Sequence, residues 1–157
     1  MKTLVVLSLV LALPAREIAA QATTSMPPAT ITTARQLKAL APTLAPAASK
    51  TAQIGKAPNL TYALTHRDSS GGIEVHRDWT DVFVIQDGAA IVATGGTLTG
   101  AKESTPGEWR GGTVSGGTRV EVRAGDVVVI PAGTPHQMVL PAGGRVTYLA
   151  FKVGAPK

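Results

Sequence analysis

Gly125-Asp-Val-Val-Val-Ile-Pro131-Ala-Gly133-Thr-Pro-His136 is the stretch that decides the fold. Val127–Ile130 is a short, continuous β-branched run, the pattern of a strand. Pro131 and Gly133 then impose a tight corner, because one fixes φ and the other frees it. His136 follows at the start of a further strand that includes Met138-Val-Leu140. A corner this rigid aims the next side chain with little entropy left to lose on binding.

The flanking sequence has the same texture. Upstream, Arg119-Val-Glu-Val-Arg123 alternates strictly, and Ala90-Ile-Val-Ala-Thr94 reads as a strand. Asp81-Val-Phe-Val-Ile85 is another, closed by the turn signal Gln86-Asp87-Gly88. Ile73-Glu-Val-His76 and Tyr62-Ala-Leu-Thr-His66 alternate on either side of the turn at Asp68–Gly72. Downstream, Val146–Val153 completes the set, while glycine-rich residues 95–117 predict a long hairpin or loop. Short strands joined by glycine-containing turns predict an all-β antiparallel barrel or jelly roll, not a βαβ fold.

Composition narrows the chemistry. The chain has 157 residues, one domain's worth, with 44% hydrophobic and 16% charged residues. That balance excludes a disordered chain. It contains no cysteine, so disulfides, thiol nucleophiles and Cys-ligated metals are excluded. It contains only three histidines, His66, His76 and His136, which leaves few layouts for a metal site. The formal charge is +5, but the basic residues are scattered and aromatics make up only 4%. Nucleic-acid binding is therefore not expected.

Residues 1–22 read as a secretory signal peptide. Lys2 precedes an apolar run centred on LVVLSLVLAL, Pro14 ends it, and Ala19, Ala20 and Ala22 follow. The run falls short of the ~20 residues a membrane span needs, so no stable membrane anchor is expected. A secreted or periplasmic protein follows. Residues 23–59 read as a linker plus a short helix. Thr33-Ala-Arg-Gln36 has capping-box spacing, and the helix is predicted over roughly 33–41, ended by Pro42. Residues 60–157 form the barrel domain.

Glu74 and His76 leave the same face of one strand. Asp81 opens the next strand after the short connection 77–80, so it can return beside them. Their neighbours Ile73, Val75, Val82 and Phe83 are apolar, so the trio points into a barrel or faces water. If it points inward, the carboxylates need a cation or donors. With His136 supplied by the corner, two imidazoles and one or two carboxylates suit a divalent metal.

These residues resemble the cupin superfamily. Its second motif runs Gly, five residues, Pro, one, Gly, two, His, three, Asn. Gly125, Pro131, Gly133 and His136 match at each spacing, and Leu140 stands at the final Asn. In the first motif His76 falls on the second histidine, Asp81 stands for the glutamate, and Gly88 matches the closing glycine. Glu74 occupies the first histidine position. The closer likeness is to small exported single-domain cupins with Glu-x-His in that motif.

The resemblance implies a double-stranded β-helix, the jelly-roll cupin barrel, with a divalent metal (Mn, Fe or Zn) at its centre. His76, Asp81 and His136 fall on ligand positions, and Glu74 would be a fourth ligand. If Glu74 turns away, a two-His-one-carboxylate set with open positions results, and Glu74 becomes a possible catalytic base. Trp79, Phe83 and Lys152 are the expected substrate pocket. His66 maps to no motif position, and Glu108, Trp109 and Arg110 are expected on a solvated loop. A homodimer paired through sheet edges is also implied. Oxygenase, isomerase and lyase chemistry all occur on this fold, so the reaction stays open. The expected function is an exported cupin-domain protein that binds a metal and binds or acts on a small molecule. A metal-free, non-catalytic small-molecule-binding barrel is the alternative.

Overall fold

The computed structural model describes residues 29–44 and 49–154. The expected signal peptide, residues 1–22, lies outside the described residues. Helix α1 (Ala34–Leu44) is followed by twelve strands. They are β1 (Ser49–Ala57), β2 (Leu60–Arg67), β3 (Glu74–His76), β4 (Trp79–Thr94), β5 (Thr97–Thr99), β6 (Lys102–Thr105), β7 (Glu108–Arg110), β8 (Thr113–Ser115), β9 (Thr118–Arg123), β10 (Val127–Ile130), β11 (His136–Val139) and β12 (Val146–Gly154).

Every strand pairing is antiparallel, and β4 joins the two halves of the curled main sheet. Its first half pairs with β12 and β10, and β12 carries β2 and β1. Its second half pairs with β9 and β11, and β11 continues through β3 and β7 to β6. Phe83, Ile85, Ala90, Val92, Val122, Ile130, Met138, Leu140, Val146 and Tyr148 form the core between the halves. This is the expected all-β jelly roll.

Gln86-Asp87-Gly88, expected as a turn, lies inside β4. The strand passes through it because the β12–β4 register slips between Thr147 and Tyr148, a bulge that bends the strand without ending it. Gly88 has φ 77°, and a Cβ there would lie 2.1 Å from the Arg145 carbonyl oxygen. Buried positions change parity across the bend, from Asp81, Phe83 and Ile85 to Ala90 and Val92. One strand thus serves both halves of the barrel. The variant Gly88→Ala should lose roughly 2–4 kcal/mol of stability, from left-handed strain plus the backbone clash. Urea unfolding reads this, and a loss under about 1 kcal/mol would show that the bend does not depend on glycine.

Two other boundaries differ from expectation. Ser49–Ala57, inside the expected linker, is strand β1, held in register by β2. Lone alternation is weak there because its exposed positions carry serine, lysine, threonine and glutamine and its half-buried ones are only Ala52, Ile54 and Gly55. Helix α1 begins at its capping box, with Thr33 N–H donating to Gln36 Oε1 (2.7 Å) and Gln36 N–H to Thr33 Oγ1 (3.3 Å). It runs through Pro42 to Leu44. Pro42 removes one i→i−4 bond from the last turn, and burial of Leu44 holds that turn in place. The helix packs on β2 and β1. Among the described residues no helix is long and apolar enough to cross a membrane.

Candidate metal centre

The topology sets His76 and His136, from one half of the barrel, against Asp81 and Lys152 from the other. His76 and Glu74 come from β3, His136 from β11, Asp81 from β4 and Lys152 from β12. Glu74 is the direct cross-strand neighbour of His136, and Asp81 that of Lys152. The rigid corner reports to the site itself: Gly133 N–H donates to the His76 carbonyl at 2.8 Å. That bond ties the His136 connection to the strand carrying the other imidazole.

Both imidazoles are fixed from behind. His136 Nδ1 donates to the Thr134 carbonyl at 3.0 Å, and His76 Nδ1 donates to Glu108 Oε2. A carbonyl and a carboxylate can only accept, so each Nδ1 carries a proton and each Nε2 is turned to the interior. His76 Nε2 lies 3.3 Å from Glu74 Oε2 and 3.2 Å from Asp81 Oδ2. His136 Nε2 lies 3.2 Å from the same Asp81 oxygen. One ligand atom each from Glu74, His76 and His136 falls within 4.8 Å of the others. The rings stand 5.2 Å apart.

His76, Asp81 and His136 are buried, while Glu74 keeps 29% of its side chain exposed and forms the open edge. Burial works against a charged His76, but contact with Asp81 and then Glu74 outweighs it, and its pKa is pushed up to about 9. Burial likewise works against ionised Glu74. Contact with His76 and the charge of Arg110 prevail and bring it down to about 2. Asp81 is held well below the usual carboxylate range: burial raises it, and contact with His136 and His76 more than reverses that.

The donor set fits a divalent cation. Two donors about 2.1 Å from one ion, roughly 90–110° apart, lie about 3.0–3.4 Å from each other. The three nitrogen–oxygen separations of 3.2–3.3 Å match that range. His76 Nε2 is buried and lacks an aligned hydrogen-bond partner despite the two nearby oxygens. In the neutral imidazole its lone pair would face oxygen lone pairs, an arrangement that only a proton or a metal relieves.

The remaining expected residues are placed as follows. Phe83 is buried in the core, its ring against Tyr148 and His136, so it backs the site rather than presenting an open surface. Trp79 begins β4 and lies over Gly154. Lys152 Nζ is turned inward to Asp81 Oδ1 at 3.3 Å. A cavity of about 230 Å³ touches His136, but Trp79, Phe83 and Lys152 do not line it. Its walls include Ala93, Arg119 and Gln137, a cross-strand row on the outer face. His66 is also on an outer face, buried beside Thr147, to which its Nδ1 is bonded at 2.9 Å.

Glu108 and Arg110 correct the expectation of a solvated loop. They lie on β7, which pairs with β3 so that Glu108 stands opposite His76 and Arg110 opposite Glu74. Arg110 Nη2 donates to Glu108 Oε2 at 3.0 Å and comes within 3.8 Å of Glu74. The readable signal is the alternation Glu108-Trp109-Arg110 between Gly107 and Gly111, both at positive φ. Because Glu108 orients His76, Glu108→Gln should weaken metal binding about 10–100-fold. Competition with a chromophoric chelator measures this, and an unchanged affinity would remove Glu108 from the site.

No protein-family model matches the sequence, and no curated protein matches it. Solved structures do match in fold. A predicted oxalate decarboxylase from Thermotoga maritima is 16% identical with a TM-score of 0.50, the match covering 68% of this chain and 81% of that one. The protein TT1209 from Thermus thermophilus is 15% identical with a TM-score of 0.52, covering 72% and 90%. The Cnp3 cupin domain from Schizosaccharomyces pombe is 12% identical with a TM-score of 0.52, covering 68% and 65%. At such identities the likeness is one of architecture, and by architecture this chain has the fold of the cupin superfamily.

Proposed function

We propose that this cupin-fold protein holds one divalent cation (Mn, Fe or Zn) among His76, His136, Asp81 and Glu74, and binds or acts on a small molecule there. The observation that carries the reading is the convergence of two Nε2 atoms, each fixed through Nδ1, on Asp81 Oδ2. When bound, such an ion polarises a substrate oxygen or lowers the pKa of a bound water. Glu74 is the most exposed of the four and lies at the open edge of the cluster. It is the residue placed to yield its position to a small molecule, or to take a proton from one. Arg110 lies within reach of Glu74 and Glu108, and its charge helps keep Glu74 ionised beside the imidazoles. Export through residues 1–22 belongs to the same proposal and places the site in a periplasmic or extracellular setting.

Elemental analysis of protein purified without a chelating column, then reconstituted, should give about one ion per chain. Sub-stoichiometric metal after reconstitution would overturn the reading. A specific observation supports a second one. The raised pKa of His76 lets an imidazolium satisfy Asp81 and Glu74 without any metal, the state of a metal-free binding barrel. In that case chelator treatment would leave thermal stability unchanged.

A further inference from the structure

Asp81 has two oxygens with different neighbours. Oδ2 faces both imidazole Nε2 atoms at 3.2 Å, and Oδ1 faces Lys152 Nζ at 3.3 Å. Lys152 and Asp81 are paired in register on adjacent strands, with Ile130 opposite Asp81 on its other side. The carboxylate therefore leaves the sheet between the side chains of Lys152 and Ile130. Asp81 Oδ1 and Lys152 Nζ are both buried, and neither has an aligned hydrogen-bond partner. A buried ammonium and a buried carboxylate oxygen with no other partner hold each other by charge, because separating them would leave two uncompensated groups.

We propose that Lys152 is a positioning residue that retains Oδ1 of Asp81, so that Asp81 presents one oxygen, not two, to the metal. This rests on the metal reading above. It has two consequences. One-oxygen ligation leaves free a coordination position that a chelating carboxylate would fill, which matters for a site meant to admit a small molecule. Sharing the charge of Asp81 with an internal ammonium also holds metal affinity below what the four donors alone would give, because the ammonium repels the incoming cation.

The test uses Co(II) as the probe ion in the full chain, with Lys152→Met as a near-isosteric neutral variant. Released from Lys152, Asp81 can chelate, so coordination number rises. The visible Co(II) absorption should fall to about half or less, and X-ray absorption should count one more light donor. Co(II) affinity should rise about tenfold, the direction expected when one nearby positive charge is removed. A residue that merely supports the fold would change neither spectrum nor coordination number, and its loss would not tighten binding. A folded K152M protein with the wild-type spectrum and equal or weaker affinity overturns the proposal while leaving the metal site standing. Absence of any Co(II) spectrum in the wild-type protein overturns the metal reading and this proposal together. Should K152M fail to fold, K152Q carries the same measurements with the same expected and overturning results.

Discussion

His136→Ala should abolish stoichiometric metal binding, with apparent affinity falling more than about a thousandfold. The expectation follows from how the site is divided. His136 is the donor that β11 brings to the cluster, and its Nε2 meets the same Asp81 oxygen as His76. Removing an outer partner such as Glu108 only misorients a ligand, at a cost of about 10–100-fold, so removing a ligand atom outright costs more. Glu74→Ala is the useful contrast. Glu74 stands at the exposed edge, and His76, His136 and Asp81 would remain as a two-His-one-carboxylate set. Its loss should weaken binding by about tenfold without abolishing it. Chelator competition on both variants, alongside circular dichroism to confirm folding, orders the two effects. If H136A binds within tenfold of wild type, the ion is not held between the two rings.

Much of this site was legible in the sequence because its parts are local. The corner Pro131–Gly133 and the alternation around Glu74 and His76 are short-range facts, and strand periodicity converts them into side-chain directions. What could not be read was pairing over long separations. Nothing local says that β7 lies against β3, so Glu108 passed for loop although it stands opposite His76. The same limit hid β1, whose polar composition becomes strand only through β2, and it split β4 at a glycine that bends the strand without breaking it. Lys152 was expected in a substrate pocket, and its pairing with Asp81 depends on the β12–β4 register, which no local pattern gives. Periodicity fixes a face, whereas register is set by the whole sheet.

The site also predicts a pH dependence that extends to unusually high pH. In the metal-free protein His76 keeps its proton up to about 9, against 6.5 for the unfolded residue. A raised folded pKa means that its stabilising contribution is fully present below about pH 6.5 and is lost as pH rises through about 9. Glu74 works in the opposite sense, contributing above its ordinary 4.5 and losing that contribution as pH falls toward about 2. Above about pH 5, therefore, the carboxylates have no proton to give up, and an incoming cation displaces one proton, from His76. Apparent metal affinity should climb about tenfold per pH unit between roughly pH 7 and 8.5, and flatten above about 9. The melting temperature of the metal-free protein should fall across the same window while that of the loaded protein holds, so the gap between them widens with pH. Chelator-buffered titrations at three pH values give the slope, and paired thermal melts give the gap. A slope near zero would mean that His76 is already neutral before the metal arrives, and that the charges of Asp81 and Glu74 are compensated by Lys152 and Arg110 alone.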